Sequence, residues 1–139
     1  MKWVTWEHIG VDRMACIWLI RGWIDPQAEF RFIPVGTKPL PDGYEPFDIP
    51  GTRYSHHRGH CSFHALLKEN KLKDPLLTRI AGIIDEADIV QEINLEPAAS
   101  GLDLICRGIR LSSPDDHTAL EKGAMVFDAL YAQLAAESR

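Results

Sequence analysis

The sequence lacks the features that mark a membrane protein, a secreted protein or a nucleic-acid-binding protein. Its longest apolar stretch, Met14 to Ile20, is far shorter than the roughly 20 residues that a membrane-spanning helix needs. Glu7 and Asp12 interrupt the apolar run that a signal peptide would require. Positive charge is scarce: 15 Lys and Arg against 20 Asp and Glu give a net charge of -5, which is poorly suited to neutralising phosphates. We therefore expect neither a membrane nor a nucleic acid as a partner of this chain.

Cysteine and the common catalytic motifs are also scarce. The chain has three cysteines, an odd number, widely spaced and without a C-x-x-C pair. An oxidising compartment would leave one thiol unpaired, so the composition favours a reducing cytoplasm. The sequence contains no P-loop, G-x-G-x-x-G, G-x-S-x-G or H-E-x-x-H pattern. We expect a cytoplasmic protein, and the question of enzymatic activity stays open.

What is present is the composition of an ordinary globular domain. The 139 residues are 45% hydrophobic and 25% charged, which argues against a disordered chain. A domain of this length buries about 68–70% of the surface that its unfolded chain exposes, so it needs no metal or disulfide merely to fold. No linker, repeat or low-complexity tract divides the sequence. We expect a single domain over residues 1–139.

Short strands are predicted in the N-terminal third. Residues Lys2–Trp6 and Glu29–Pro34 alternate in the way that suits strands. Between them, Val11–Ile24 carries apolar residues at spacings of three and four and predicts a helix that is buried on most sides. The long connection 35–53 is rich in proline and glycine, which is typical of functional or flexible loops. Within it, Phe47–Ile49 is a candidate third strand.

The second half of the sequence predicts helices. They cover Ser62–Asn70, a segment that opens at Asp74, Ala98–Ile109 and the final segment. For the final helix, Ser113 is predicted as the N-cap and Pro114 as the first helical residue. The expected fold class is α+β, with a few short strands in the N-terminal third and four to five helices forming most of the domain.

The densest group of chemically active side chains is the segment 54–64, which holds four of the six histidines and one cysteine. Imidazole and thiolate are ligands that zinc, copper and iron prefer. Cys61 and His64 have the i, i+3 spacing that brings two ligands onto one helical turn. The alternative is a histidine-rich loop that binds metals only adventitiously, with Cys61 a buried thiol. The candidate metal ligands are His56, His57, Cys61, His64 and, from the preceding loop, Asp48.

Two further groups of polar residues could contribute to an anion site. Asp12 and Arg13 begin the first helix, and the planar guanidinium fork matches tetrahedral oxyanions, although Arg13 could also be a solvated side chain. Asp115, Asp116 and His117 open the last helix, where Asp115 is predicted to cap. Asp116 and His117 could instead face a pocket, since a helix N-terminus can hold an anion. We predict one shared pocket lined by Asp12 and Arg13, by His56 or His57, and by Asp116 or His117.

Two runs of residues are distinctive enough to indicate a family. They are Asp12-Arg13-x-Ala15-Cys16-x-Trp18-Leu19-Ile20 and Ser55-His56-x4-Cys61-Ser62-Phe63. These two runs and three further segments occur in the same order as in one known family and span nearly the whole chain. The further segments are Phe47–Gly51, Ala98–Leu102 and Asp115–His117. The sequence resembles the chromate-resistance family, of the type found as the C-terminal domain of ChrB proteins, over nearly its whole length.

The resemblance implies a cytoplasmic protein that binds or senses an oxyanion or a transition metal, with zinc or iron as the candidate ion. His64 takes a position that is usually acidic in that family, which would alter the charge or the metal preference of a site. Longer members carry an N-terminal half associated with chromate-responsive regulation, and without that half we expect no repressor function. One alternative is a metal-dependent enzyme that acts on a small anionic substrate held by Arg13, with Asp12, Asp48, His56 or Asp116 around the ion. The other is a structural subunit without chemistry, such as a homodimer.

Overall fold

A small parallel sheet and the helices that pack beside it make up the fold in the computed structural model, which describes residues 1–89, 91 and 93–138. The sheet has the strand order β2-β1-β3, and both neighbours run parallel to β1. The strands are β1 (Lys2–Trp6), β2 (Glu29–Ile33) and β3 (Glu45–Pro46). The described residues also form helices α1 (Val11–Leu19), α2 (Ser62–Glu69), α3 (Pro75–Asp88), α4 (Ala98–Ser112) and α5 (Asp116–Glu137). The α+β class is confirmed, with the strands in the N-terminal third.

The first helix is the centre of the core. All residues of α1 except Arg13 are buried, as the sequence predicted for a helix that is apolar on most sides, and α1 contacts each of the other four helices. Beyond α1 the chain continues as one π-helical turn, Ile20–Ile24. The helical segment ends where it was predicted to end, at Asp25, whose backbone is extended.

The third strand lies two residues earlier than predicted. Glu45 and Pro46 pair with β1, whereas Phe47, whose N–H still donates to the carbonyl of Val4, forms an isolated bridge with Tyr54. Asp48 has a positive φ of 51°, in the left-handed region that a strand cannot contain. The prediction of a strand over Phe47–Ile49 is therefore wrong, and the chain turns at Asp48 instead.

The start of α5 also differs from the prediction. The Oδ1 atom of Asp115 accepts a hydrogen bond from the Thr118 backbone N–H at 2.7 Å, so Asp115 is the N-cap. Ser113, the predicted cap, donates its hydroxyl proton to the carbonyl of Ile109. The reason is that α4 extends to Ser112, which makes Ser113 part of the end of that helix. The capping role predicted for Asp115 is confirmed.

Helices α1 and α5 approach each other closely at one glycine. A Cβ atom added at Gly123 would lie 3.0 Å from the Sδ atom of Met14. Met14 and Phe127, which are both fully buried, belong to the same core. Among the described helices, none combines the length and the hydropathy that crossing a bilayer requires.

Candidate metal centre

A pocket of about 580 Å³ lies where the start of α1, the loop before α2 and the ends of α3 and α4 meet. Four aspartates, three arginines and two histidines line it, among them Asp103 of α4 and His8 before α1. Asp12 and Arg13 come from α1, Asp48 and His56 from the loop, Asp88 from the last residue of α3, and Arg107 and Arg110 from α4.

Three carboxylates converge on one imidazole nitrogen in this pocket. The Nε2 atom of His56 lies 3.1 Å from Asp12 Oδ2, 3.5 Å from Asp48 Oδ1 and 3.2 Å from Asp88 Oδ2. One ligand atom each of Asp12, Asp48 and His56 lie within 4.8 Å of one another. Bonds of about 2.0–2.2 Å to one ion hold neighbouring ligand atoms roughly 3–3.5 Å apart. The side chains are therefore already close to the spacing that a bound ion would impose.

Asp12 is held by the backbone of the next helix. Its side chain is 2% exposed, and its carboxylate accepts hydrogen bonds from the N–H groups of Ser62 at 2.8 Å and Phe63 at 3.2 Å. These are the first N–H groups of α2, for which the N-cap residue Cys61 provides no side-chain hydrogen bond. Asp12 thus caps α2 from a different helix, and its orientation is fixed independently of any ligand.

Asp48 bridges Arg13 and α2. The Nε atom of Arg13 lies 2.9 Å from Asp48 Oδ2, and the Ser62 hydroxyl donates to Asp48 Oδ1 at 2.6 Å. Burial and the negative charge of Asp12 raise the pKa of Asp48 to about 7, although Arg13 acts in the opposite direction. Asp12 and Asp48 are thus largely buried carboxylates that lie close together.

Negative charge also acts on the other groups of the pocket. The hydrogen bond with Asp12, together with the charges of Asp12, Asp48 and Asp88, raises the pKa of His56 to about 9 against the effect of burial. Burial, with the charge of Asp12, also raises the pKa of Asp88. Negative charge contributes to each of these raised pKa values, beside burial for the two carboxyl groups and the hydrogen bond with Asp12 for His56, and a cation would offset that charge.

The other predicted metal ligands lie outside this pocket. His57 Nε2 is 3.4 Å from the carbonyl of Arg53, because neighbouring residues of the loop point in different directions. Cys61 is buried with its thiol 3.8 Å from the carbonyl of Ala81, and burial raises its pKa, so the thiolate form is disfavoured. His64 lies in a second cluster. The predicted ligand set is therefore not one site: the structure brings Asp48 and His56 together and separates them from the other three.

The prediction that Asp116 or His117 shares the pocket is wrong. Both residues line a different depression of the surface. The carboxylate of Asp116 accepts hydrogen bonds at 3.0 Å from the N–H groups of His8 and Ile9, and the His117 ring packs edge-on against Phe32. Asp116 holds the turn before α1 and does not line the pocket around His56.

Comparison with known proteins supports the family resemblance. The family described as "ChrB, C-terminal domain" matches residues 3–134. The chain belongs to the ChrB C-terminal domain family. It is 35% identical over 131 residues to "Protein ChrB" of Cupriavidus metallidurans, in an alignment that covers 94% of this chain and 40% of that protein. No solved structure matches this ChrB-type chain.

Sequence reasoning missed three ligand candidates, His60, Asp85 and Asp88. Two of them have a recognisable signal, because Asp85 and Asp88 lie in the last turn of α3 together with Glu86 and no basic residue. Negative charge there opposes the helix dipole, so it needs compensation from elsewhere in the fold. For Asp85, interactions with His64, the Cys61 backbone and His60 outweigh burial and hold the pKa well below its usual range.

Proposed function

We propose that this ChrB-type domain binds a divalent transition metal ion through Asp12, Asp48, His56 and Asp88. The observation that carries the proposal is the convergence of three carboxylates within 3.1–3.5 Å of His56 Nε2. Imidazole with carboxylates is a donor set that suits zinc, iron and manganese. His56 is 45% exposed, so an ion can reach the site from solvent.

The charge balance of the site favours a cation. Three aspartates lie within 3.5 Å of His56 Nε2, and of the three arginines that line the pocket only Arg13, among the described residues, forms an ion pair with one of these three, Asp48. A bound dication would take the place of the proton on His56 Nε2, and metal binding would therefore release a proton. Because α2 already fixes the carboxylate of Asp12, little ordering is needed before the ion binds.

The arginines of α4 give the pocket a second specificity. Arg107 and Arg110 also line it, and guanidinium groups bind oxyanions through paired hydrogen bonds. Arg107 is held at 2.9 Å from Asp103, one turn earlier on the helix. An oxyanion such as chromate or sulfate would bind between the ion and these arginines, which would link a metal site to a chromate-resistance family.

Calorimetric titration of tag-free protein with Zn²⁺ and Mn²⁺ tests the metal site. His56→Ala and Asp48→Asn should each weaken binding by at least 10–100-fold, since even removal of a residue that only hydrogen-bonds to a metal ligand typically causes such a loss. His57→Ala is the matched control, since it removes the adjacent imidazole, which lies outside the pocket. Equal affinities in wild type and His56→Ala for both ions would refute the proposal.

Titration with sulfate and molybdate tests the oxyanion. Binding should be stronger in metal-loaded protein than in protein treated with a chelator, and Arg110→Ala should weaken it without changing metal affinity. Oxyanion binding that is equal in His56→Ala and wild type would separate the two ligands and overturn their link.

A metal-dependent enzyme is the second candidate. The pocket volume of about 580 Å³ exceeds what one ion and one small oxyanion fill, which leaves room for an organic phosphate or a similar substrate. Metal-dependent turnover of aryl phosphate or sulfate esters that is lost in His56→Ala would favour this alternative. Binding of the ion and the oxyanion without turnover would favour the first proposal, a protein that binds both ligands without catalysis.

A further inference from the structure

A second cluster of ligand atoms lies between the start of α2 and the end of α3. The Oδ2 atom of Asp85 is 2.9 Å from His60 Nδ1 and 2.9 Å from His64 Nε2, and one ligand atom of each residue lies within 4.8 Å of the others. We propose that His60, His64 and Asp85 form a second metal site, of the zinc class, which shares no ligand with the pocket around His56. This site does not depend on the proposed function of that pocket.

A tight turn of the loop presents the first imidazole. The backbones of His57 and His60 exchange two hydrogen bonds, at 3.1 Å and 2.9 Å, across Arg58 and Gly59. Both central residues have positive φ, 51° and 79°, which is the pattern of a two-residue hairpin turn. The turn brings His60, which precedes the N-cap of α2, next to His64 in the first turn of that helix, and the two rings lie 4.4 Å apart between centroids.

The backbone orients the carboxylate of this cluster. Asp85 is 8% exposed, and its Oδ1 atom accepts a hydrogen bond from the Cys61 N–H at 2.8 Å. The other oxygen, Oδ2, is the one that faces both imidazoles. Such an outer hydrogen bond is how proteins commonly fix a ligating carboxylate.

The geometry at His64 favours an ion. Its Nε2 atom is buried and, among the described residues, has no well-aligned hydrogen bond, although Asp85 Oδ2 lies only 2.9 Å away. A buried polar nitrogen without such a partner is uncommon and calls for an explanation. An ion bound to Asp85 would accept the lone pair of His64 Nε2.

The donor set indicates the class of ion. Two imidazoles and one carboxylate bind zinc with a fourth position left for water, and with more open positions they bind ferrous iron. His60 has 57% of its side chain exposed, so water can reach the remaining position. The ion would join the loop and α2 to α3, and it should therefore stabilise the fold as well as bind.

Stoichiometry of Zn²⁺ binding, measured by elemental analysis and calorimetry, separates this site from the first. Wild type should bind two equivalents, and His60→Gln and His64→Gln should each bind one. His56→Ala should also bind one, by loss of the other site, whereas the control His57→Ala should keep two. If the first site does not exist, His56→Ala should bind as much as wild type, and the effects of His60→Gln and His64→Gln should persist.

Co²⁺ provides an independent readout. Visible absorption from a cobalt site with two imidazoles should be retained in His56→Ala and lost in His64→Gln. Zn²⁺ should raise the Tm of His56→Ala more than that of the double variant His56→Ala/His64→Gln, because binding to the folded state stabilises it. Folding is checked by circular dichroism, and His60→Gln changes an exposed side chain that the fold tolerates. Zn²⁺ stoichiometry that is the same in His60→Gln, His64→Gln and wild type would overturn the second site.

Discussion

Asp12→Asn measures how much the buried carboxylate of Asp12 stabilises the fold apart from any ion. Asparagine has nearly the same size and keeps one acceptor oxygen. Its NH₂ group, however, must face one of the two N–H donors at the start of α2, Ser62 or Phe63. One buried N–H then lacks an acceptor, and α2 loses a negative charge at its N-terminus.

The magnitude follows from two effects that destabilise the variant and one that opposes them. A lost hydrogen bond to a charged group costs about 1.5–3 kcal/mol. The lost charge at the N-terminus of α2 costs about 0.3–1 kcal/mol more. In the other direction, the substitution removes the repulsion from Asp12 that helps to raise the pKa of Asp48 to about 7.

The pH decides which effect prevails. A carboxyl group with a raised folded pKa destabilises the fold as the pH rises from about 4 towards that pKa, so the relief from substitution is small at pH 5 and larger at pH 8. Asp12 also stabilises the fold through protonated His56, and this stabilisation is lost as the pH rises through about 9. The cost of the substitution therefore falls further between pH 5 and pH 8. We expect Asp12→Asn to lose about 2 kcal/mol at pH 5, or roughly 6–8 °C in Tm for a chain of this size, and less at pH 8.

Urea denaturation followed by tryptophan fluorescence, with a chelator present, measures this difference. Asp103→Asn is the control, since Asp103 lines the same pocket but its carboxylate pairs with the exposed Arg107. It should change the free energy of unfolding little at either pH. If Asp12→Asn is as stable as wild type at pH 5, or if its deficit does not shrink by pH 8, the reasoning about Asp12 is refuted.

Other substitutions and reagents test the assignments made elsewhere in the fold. Asp116→Ala should lower the free energy of unfolding by about 1–2 kcal/mol, since two backbone N–H groups lose their acceptor, while calorimetry should show unchanged metal affinity. Gly123→Ala should lower Tm, because the new Cβ would lie 3.0 Å from Met14 Sδ. Gly108→Ala, where the new Cβ meets open space, should stabilise the fold by about 0.5–1 kcal/mol. A higher Tm for Gly123→Ala than for Gly108→Ala would contradict the close contact between α1 and α5. Burial raises the pKa of all three thiols, that of Cys106 to about 12. A thiol reagent at pH 8 should therefore react only as the chain unfolds. Prompt reaction of one equivalent with the folded protein would contradict this expectation.

Local sequence was sufficient to predict those elements that a single repeating pattern or a single capping residue defines. The alternation of Lys2–Trp6 and the apolar spacing from Val11 predicted a strand and a buried helix, because these patterns depend only on which side chains face the core. The caps Asp74 and Asp115 also follow from near neighbours, since each accepts a backbone N–H two or three residues ahead. The position of the third strand was predicted wrongly because it depends on the turn at Asp48, whose backbone N–H donates a hydrogen bond to the carbonyl of Tyr54.

The sequence by itself also determined which residue types were available to a site. Asp12, Arg13, Asp48 and His56 were candidates because of their chemistry, and the structure brings these four into one pocket. Their type could not show which of the neighbouring histidines would join them. Only the loop conformation directs His56 inward and leaves His57 beside Arg53.

The tertiary structure alone decided how the ligands are divided into two clusters. Asp85 and Asp88 lie on one helix, one turn apart, yet Asp85 contacts His60 and His64 while Asp88 contacts His56. At the start of α2, the N–H of the N-cap residue Cys61 is bonded to Asp85, and the next N–H, that of Ser62, is bonded to Asp12. Such contacts join residues 24 to 50 positions apart. They depend on how whole helices pack, which no local pattern of residues specifies.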